Sequence, residues 1–214
     1  CREMGIDRLP PDVNKSEDVF TVEGNGIRFG LSAVKNVGRG LIVKLVNERE
    51  RNGKFKNFSD FIDRMAGEDM NKRALEGLIY CGAFDSMGIK RSQLLAVYES
   101  ALEGTLRNAR DNVAGQISLF ETAGEGNTEM EFPDIEELDR RTLLRHEKES
   151  TGMYFTGHPM EEYTERAKKI TKYNIGDILE SVHKDDEGVY HAVNGAIRDN
   201  DSVTVCAVIE KRKN

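Results

Sequence analysis

The 214-residue sequence predicts a mainly α fold with a small N-terminal β-hairpin and a short, truncated C-terminal β segment. Three observations lead there. Apolar residues recur at helical spacing through most of residues 31–103. Strand-like patterning is confined to the two ends of the chain. Glycine-bearing connections at Asn36–Gly40 and Cys81–Gly88 separate paired helical stretches, which gives a tandem helix-hairpin-helix.

In order, Leu9-Pro10-Pro11-Asp12 and the Asp/Asn/Ser residues after it read as an extended loop across residues 1–17. Alternation in Val19-Phe20-Thr21-Val22, then Gly24-Asn25-Gly26, then Ile27-Arg28-Phe29 predicts a β-hairpin. It feeds a short helix near Leu31, the Asn36–Gly40 turn and a second helix from about Arg39 to Glu50. Leu41, Ile42, Leu45 and Val46 form the apolar face of that second helix. Phe58, Phe61, Ile62 and Met65 predict a core helix with Ser59 as N-cap. A second pair follows, over 71–80 (Leu75, Leu78, Ile79) and 90–102 (Leu94, Leu95, Tyr98, Ala101, Leu102). The two pairs should share one core, with Phe84 packed and the second pair serving as scaffold. A helix is expected from Asp134 to near Gly152, and a strand over Ser202–Ile209. One or two strands cannot close a barrel, so that sheet reads as truncated. Cys1 at one end and KRKN at the other suggest a piece of a longer protein.

Composition bounds the function. With 38% hydrophobic and 32% charged residues the chain reads as soluble and globular, and no apolar run reaches membrane-spanning length. Three cysteines without a CxxC pair argue against a disulfide framework or zinc site and for a reducing cytoplasm. The net charge of −7 is unevenly distributed. Residues 28–110 hold 15 Lys and Arg against 10 Asp and Glu, and the remaining residues hold 16 against 28. The basic block overlies the helical hairpins. Residues 111–140 hold nine acids and one base, the composition of a solvated linker.

The first hairpin offers the most specific chemistry. Helix-initial amides have no helical partner and lie at the positive end of the helix dipole, so they suit an anion such as a DNA phosphate. The expected contacts are the amides of Val37, Gly38, Arg39 and Gly40, with Lys35, Arg39 and Lys44 as point charges. Gly38 and Gly40 are equally consistent with a plain turn between packed helices. Lys54 and Lys56 fit either a DNA contact or a solvated loop. The second hairpin is poorer, because Asp85 beside a phosphate is unfavourable. Leu119-Phe120, in an acidic, glycine-containing stretch, either docks on the body or meets a partner. The four histidines are scattered, and His158 is best read as bracing the turn before Pro159. No P-loop, dinucleotide fingerprint or nucleophile elbow is present, and no catalytic residue or metal site can be assembled.

LPPDVNKS, IRFGLSAVKNVG, NKRALEGLIYCGAFDS, QISLF and EKESTGMYFTGHPMEEY, in this order, resemble the DnaE type of bacterial replicative polymerase alpha subunit over residues 1–165. The resemblance implies the end of a fingers domain (1–30), a tandem helix-hairpin-helix DNA-binding domain (31–110) and a flexible segment (111–133). A helical connector (134–170) and the start of an incomplete OB domain (171–214) would follow. It also implies that Gln116, Ile117, Ser118, Leu119 and Phe120 bind the sliding clamp. The partners would then be duplex DNA, the clamp and, through a complete OB domain, single-stranded DNA, in a bacterial cytoplasm. The family's catalytic aspartates and their Mg2+ belong to a palm domain upstream of Cys1. A stand-alone helix-hairpin-helix repair module and a purely structural connector are the competing readings.

Overall fold

The expected β-hairpin forms near the start of the chain. Strands β2 (Thr21–Glu23) and β3 (Gly26–Arg28) pair antiparallel, Val22 opposite Ile27, around a two-residue Gly24-Asn25 turn. A further strand, β1 (Asp7–Leu9), runs parallel to β3 on its other edge, where the sequence predicts loop. Three residues of mixed polarity carry no periodicity. What makes them a strand is the unpaired edge of β3. The computed structural model describes residues 4–65, 67, 70–113, 130–184, 190–192 and 201–209. The chain divides into two units, residues 1–156 and 157–214.

In the first unit, the helix expected near Leu31 is a single 3-10 turn, Leu31–Ala33. Its leading amides are taken by the carbonyls of Glu17 and Asp18, which hold the segment against the preceding loop. Helices α1 (Arg39–Asn52), α2 (Phe58–Met65), α3 (Lys72–Tyr80) and α4 (Arg91–Val113) follow. Their apolar faces form one core, as the spacing predicts. Leu41, Ile42, Leu45, Phe58, Phe61, Ile62, Met65, Leu75, Leu78, Ile79, Phe84 and Leu94 are all buried there. Phe84 meets Phe58 and Phe61 edge-on, with ring centroids 5.2 and 4.9 Å apart. Such pairs add about 0.5–1.5 kcal/mol each beyond their buried area.

Two helix starts differ from expectation. The cap of α2 is Asn57, whose Oδ1 accepts from the Asp60 amide at 2.9 Å, so Ser59 lies inside the helix. Helix α5 begins at Arg140, not near residue 134; Asp139 caps it and Gly152 ends it in the left-handed conformation. Residues 130–138 instead run along the first unit as a strap. Phe132 packs on the core, and the carbonyls of Pro133 and Ile135 accept from Gln93 and Lys90. The strap's Glu137 bonds to another element and not along a helix of its own.

The second unit holds α6 (Thr164–Ile170), α7 (Ile175–Glu180) and a two-stranded ladder of β4 (Val182–Lys184) and β5 (Tyr190–Ala192). Asn174 and Asp177 close a reciprocal capping box on α7. Residues 201–209 form no strand. A β-branched run becomes a strand only with a ladder partner, and among the described residues it has none. His158 Nδ1 accepts from the Met160 amide at 3.1 Å, the turn-bracing role read from Gly157-His158-Pro159. No described helix is long and apolar enough to cross a membrane.

Candidate nucleic-acid interface

Helix α1 starts without a side-chain cap. Its N-cap is Gly38, and its first turn holds no acidic residue. The amides of Arg39, Gly40 and Leu41 therefore open the helix with neither an intrahelical nor a side-chain acceptor. Gly38, Arg39 and Gly40 are all exposed. Gly38 has φ −70° and ψ 137°, open to any residue, and a Cβ built at Gly38 or Gly40 meets nothing within 4 Å. Neither packing nor backbone strain calls for glycine there. What the two glycines leave is bare backbone facing solvent.

The tip is held from beneath. Asn36 turns the chain at φ 66°, and the Lys35 amide donates to the Ser150 carbonyl at 2.8 Å, in the last turn of α5. Val37 is buried, and its amide donates to the Val34 carbonyl at 3.4 Å. It is thus an anchor of the tip, which leaves Gly38, Arg39 and Gly40 as the outward amides. The Lys35 and Lys44 side chains are exposed. Arg39 is also exposed and pairs with Asp18 at 3.2 Å, an ion pair weak enough to exchange for a phosphate.

The basic block is less available than its count suggests. Arg28 grips Glu23 through two nitrogens, at 2.9 and 2.7 Å. Arg49 donates to the Val13 and Ser16 carbonyls and to Glu17. Arg64 joins Glu48 and Asp60, with its guanidinium over the Phe55 ring. These arginines brace loops. The cations of the tip itself carry its positive charge.

The second hairpin, between α3 and α4, is closed. Arg91 is buried and binds Asp85 through Nε and Nη2, at 3.0 and 2.6 Å, and Glu147 through Nη2 at 3.0 Å. Glu147 is fully buried and also accepts from the Phe155 and Thr156 amides. The N-terminus of α4 already holds an anion: Glu137 of the strap accepts from the Arg91 and Ser92 amides at 2.8 and 2.9 Å. Burial pushes the Glu137 carboxyl up, but the amides of Ser92, Leu138 and Arg91 outweigh it and hold it below the usual range. Sequence reasoning gave no role to Glu137, Glu147 or Ser150. Their partners Arg91 and Lys35 lie dozens of residues away, and no local pattern marks them.

A helix-hairpin-helix motif model matches residues 5–94. The DNA polymerase III subunit alpha of Thermus aquaticus is 44% identical over 187 residues, 86% of this chain and 15% of that protein. That of Mycobacterium leprae is 35% identical over 209 residues, 94% of this chain and 18% of that protein. That of Vibrio cholerae is 35% identical over 176 residues, 81% and 15% of the two chains. The chain belongs to the DNA polymerase III alpha subunit family. It spans between 15% and 18% of the length of these relatives.

Within that family frame, Gln116, Ile117, Ser118, Leu119 and Phe120 lie outside the described residues. Of the flanking chain, α4 and the strap are described, and both belong to the first unit. Among the described residues no three His, Cys, Asp or Glu side chains converge as metal ligands would. Asp85, Glu137 and Glu147 are engaged by Arg91 and by backbone amides, so no donor set for a polymerase Mg2+ is built from them. Cys81 is fully buried, and burial pushes its thiol up to about 12, so it stays protonated and unreactive.

Proposed function

We propose that this chain is the part of a replicative polymerase alpha subunit that holds duplex DNA without reading its sequence and tethers the enzyme to a sliding clamp. Template-directed synthesis belongs to the whole protein, with catalytic groups outside residues 1–214. The observation carrying the reading is the exposed N-terminus of α1, uncapped and with no acid in its first turn, beside Lys35 and Arg39. Backbone amides and point charges bind phosphate and carry no base information, which suits an enzyme that must travel over any product.

If about three phosphates are neutralised, log K falls with log salt at a slope near −2.7. Titration of a labelled duplex at several salt concentrations measures it. Lys35→Glu with Arg39→Glu should weaken binding about 60-fold near 0.1 M salt, the equivalent of two fewer phosphates neutralised. Salt-independent affinity, or unaltered binding by the double variant, rejects the reading.

For the tether, Leu119 and Phe120 enter an apolar pocket of the clamp, with Gln116, Ile117 and Ser118 along its rim. Burying two such side chains contributes about 3–6 kcal/mol, partly offset by ordering the segment. The interaction is therefore weak by itself, and effective on a ring threaded by the same DNA. Replacing Leu119 and Phe120 by Ala should abolish binding to the cognate clamp. Retained binding would assign the pair to the body of the protein.

A further inference from the structure

Gly77 lies in the interior of α3, where glycine is unfavourable relative to alanine. Its conformation is helical, so no special backbone angle calls for it. The reason is contact. A Cβ built at Gly77 would stand 2.9 Å from the Lys35 carbonyl oxygen and 3.4 Å from Val37 Cγ2. The obstacle is backbone, so relief would require moving the first hairpin itself. The Lys35 amide, on the same residue, donates to Ser150. The tip is thus pinned on one side by the second hairpin's first helix and on the other by the end of α5.

The geometry points to Gly77 as a positioning residue for DNA binding: by letting the tip seat directly on α3, it aims the amides of Gly38, Arg39 and Gly40 before any phosphate arrives. This inference rests on the duplex-binding reading above. It gives the second hairpin a function that needs no DNA contact of its own. Preorganised donors lose little on binding, whereas a displaced tip must be rebuilt at each encounter.

The test compares Gly77→Ala with Gly104→Ala in the full 214-residue chain. Gly104 is an exposed glycine of α4 whose added Cβ meets nothing within 4 Å. Both changes favour helix, and only the first pushes on the hairpin. Gly77→Ala should weaken duplex binding about eightfold near 0.1 M salt and make the salt slope shallower by about 0.9, as expected when one phosphate fewer is neutralised. Gly104→Ala should change neither. A general loss of stability lowers the active fraction and leaves the slope alone. Equal affinity and slope for Gly77→Ala and the unaltered chain overturn the inference. If Lys35→Glu with Arg39→Glu still weakens binding in that case, the duplex-binding reading survives without it.

Should Gly77→Ala fail to fold, hydrogen exchange in the unaltered chain decides. The Lys35 amide should be protected before duplex is added and no more protected afterwards. Protection that appears only with DNA overturns the inference.

Discussion

The two helical hairpins share a plan and differ in what meets the start of their second helix. Helix α1 begins at a glycine with solvent in front of it. Helix α4 begins under the carboxylate of Glu137, delivered by a strap some 45 residues downstream. The first has exposed cations, and the Arg39–Asp18 ion pair at its tip faces solvent. The second has a buried arginine locked between two acids. A helix start is a receptor for anions only if the protein's own carboxylates leave it open. One copy of the motif can therefore face a ligand while the other holds the first in place.

The contrast can be broken most forcefully at Glu147. Glu147→Ala would leave the Phe155 and Thr156 amides unpaired and Asp85 as the one carboxylate on Arg91, and should cost about 2–5 kcal/mol in unfolding free energy, read from urea melts by circular dichroism. A cost near that of an ordinary surface change, about 0.5 kcal/mol, would show that the second hairpin is not held by its acids. A smaller effect of more interest is expected from giving the first hairpin what the second has. Gly38→Asp fits the observed backbone and the open space around it. It should stabilise the chain by a few tenths of a kcal/mol as a better cap, yet weaken duplex binding about eightfold near 0.1 M salt. Improved or unaltered binding by this variant would place the DNA elsewhere.

The smallest effect concerns Glu137. Its folded pKa lies below the unfolded value, so its stabilisation is complete above the usual glutamate range and is lost as pH falls through the depressed folded value. Glu137→Gln should lower stability at neutral pH by about 1 kcal/mol, a modest figure because the side chain is largely exposed. The variant should also have a flatter acid limb in a plot of stability against pH. Parallel acid limbs for the two proteins would show that this carboxylate does not close α4.

What the sequence reveals divides along the same line. The core helices are legible because Leu41, Ile42, Leu45, Phe58, Phe61, Leu75 and Leu78 repeat at helical intervals, and burial follows that repeat. The uncapped glycine tip is legible because it is local. The α2 cap falls two residues away from the expected Ser59, since Asn57 can do the same work and geometry chooses between them. Non-local pairing is not legible. β1 exists because β3 has a free edge, and the acids of 134–139 leave the helical pattern because Glu137 has a better partner on α4. Arg28, Arg49 and Arg91 count as positive charge in a window of sequence, but in the fold they are neutralised by Glu23, Glu17, Asp85 and Glu147.

The bond from the Lys35 amide to the Ser150 carbonyl also sets an order of events. Ser150 is made 115 residues after Lys35 (150 − 35), an interval of about 6–23 s at ~5–20 residues per second of synthesis. The residues of α1 to α4 have all emerged by then and can collapse onto their shared core. The tip cannot take its final form until α5 leaves the ribosome. In a newborn chain the surface proposed to hold DNA thus matures only with α5, in the same interval in which Glu137 and Glu147 reach the second hairpin and lock it.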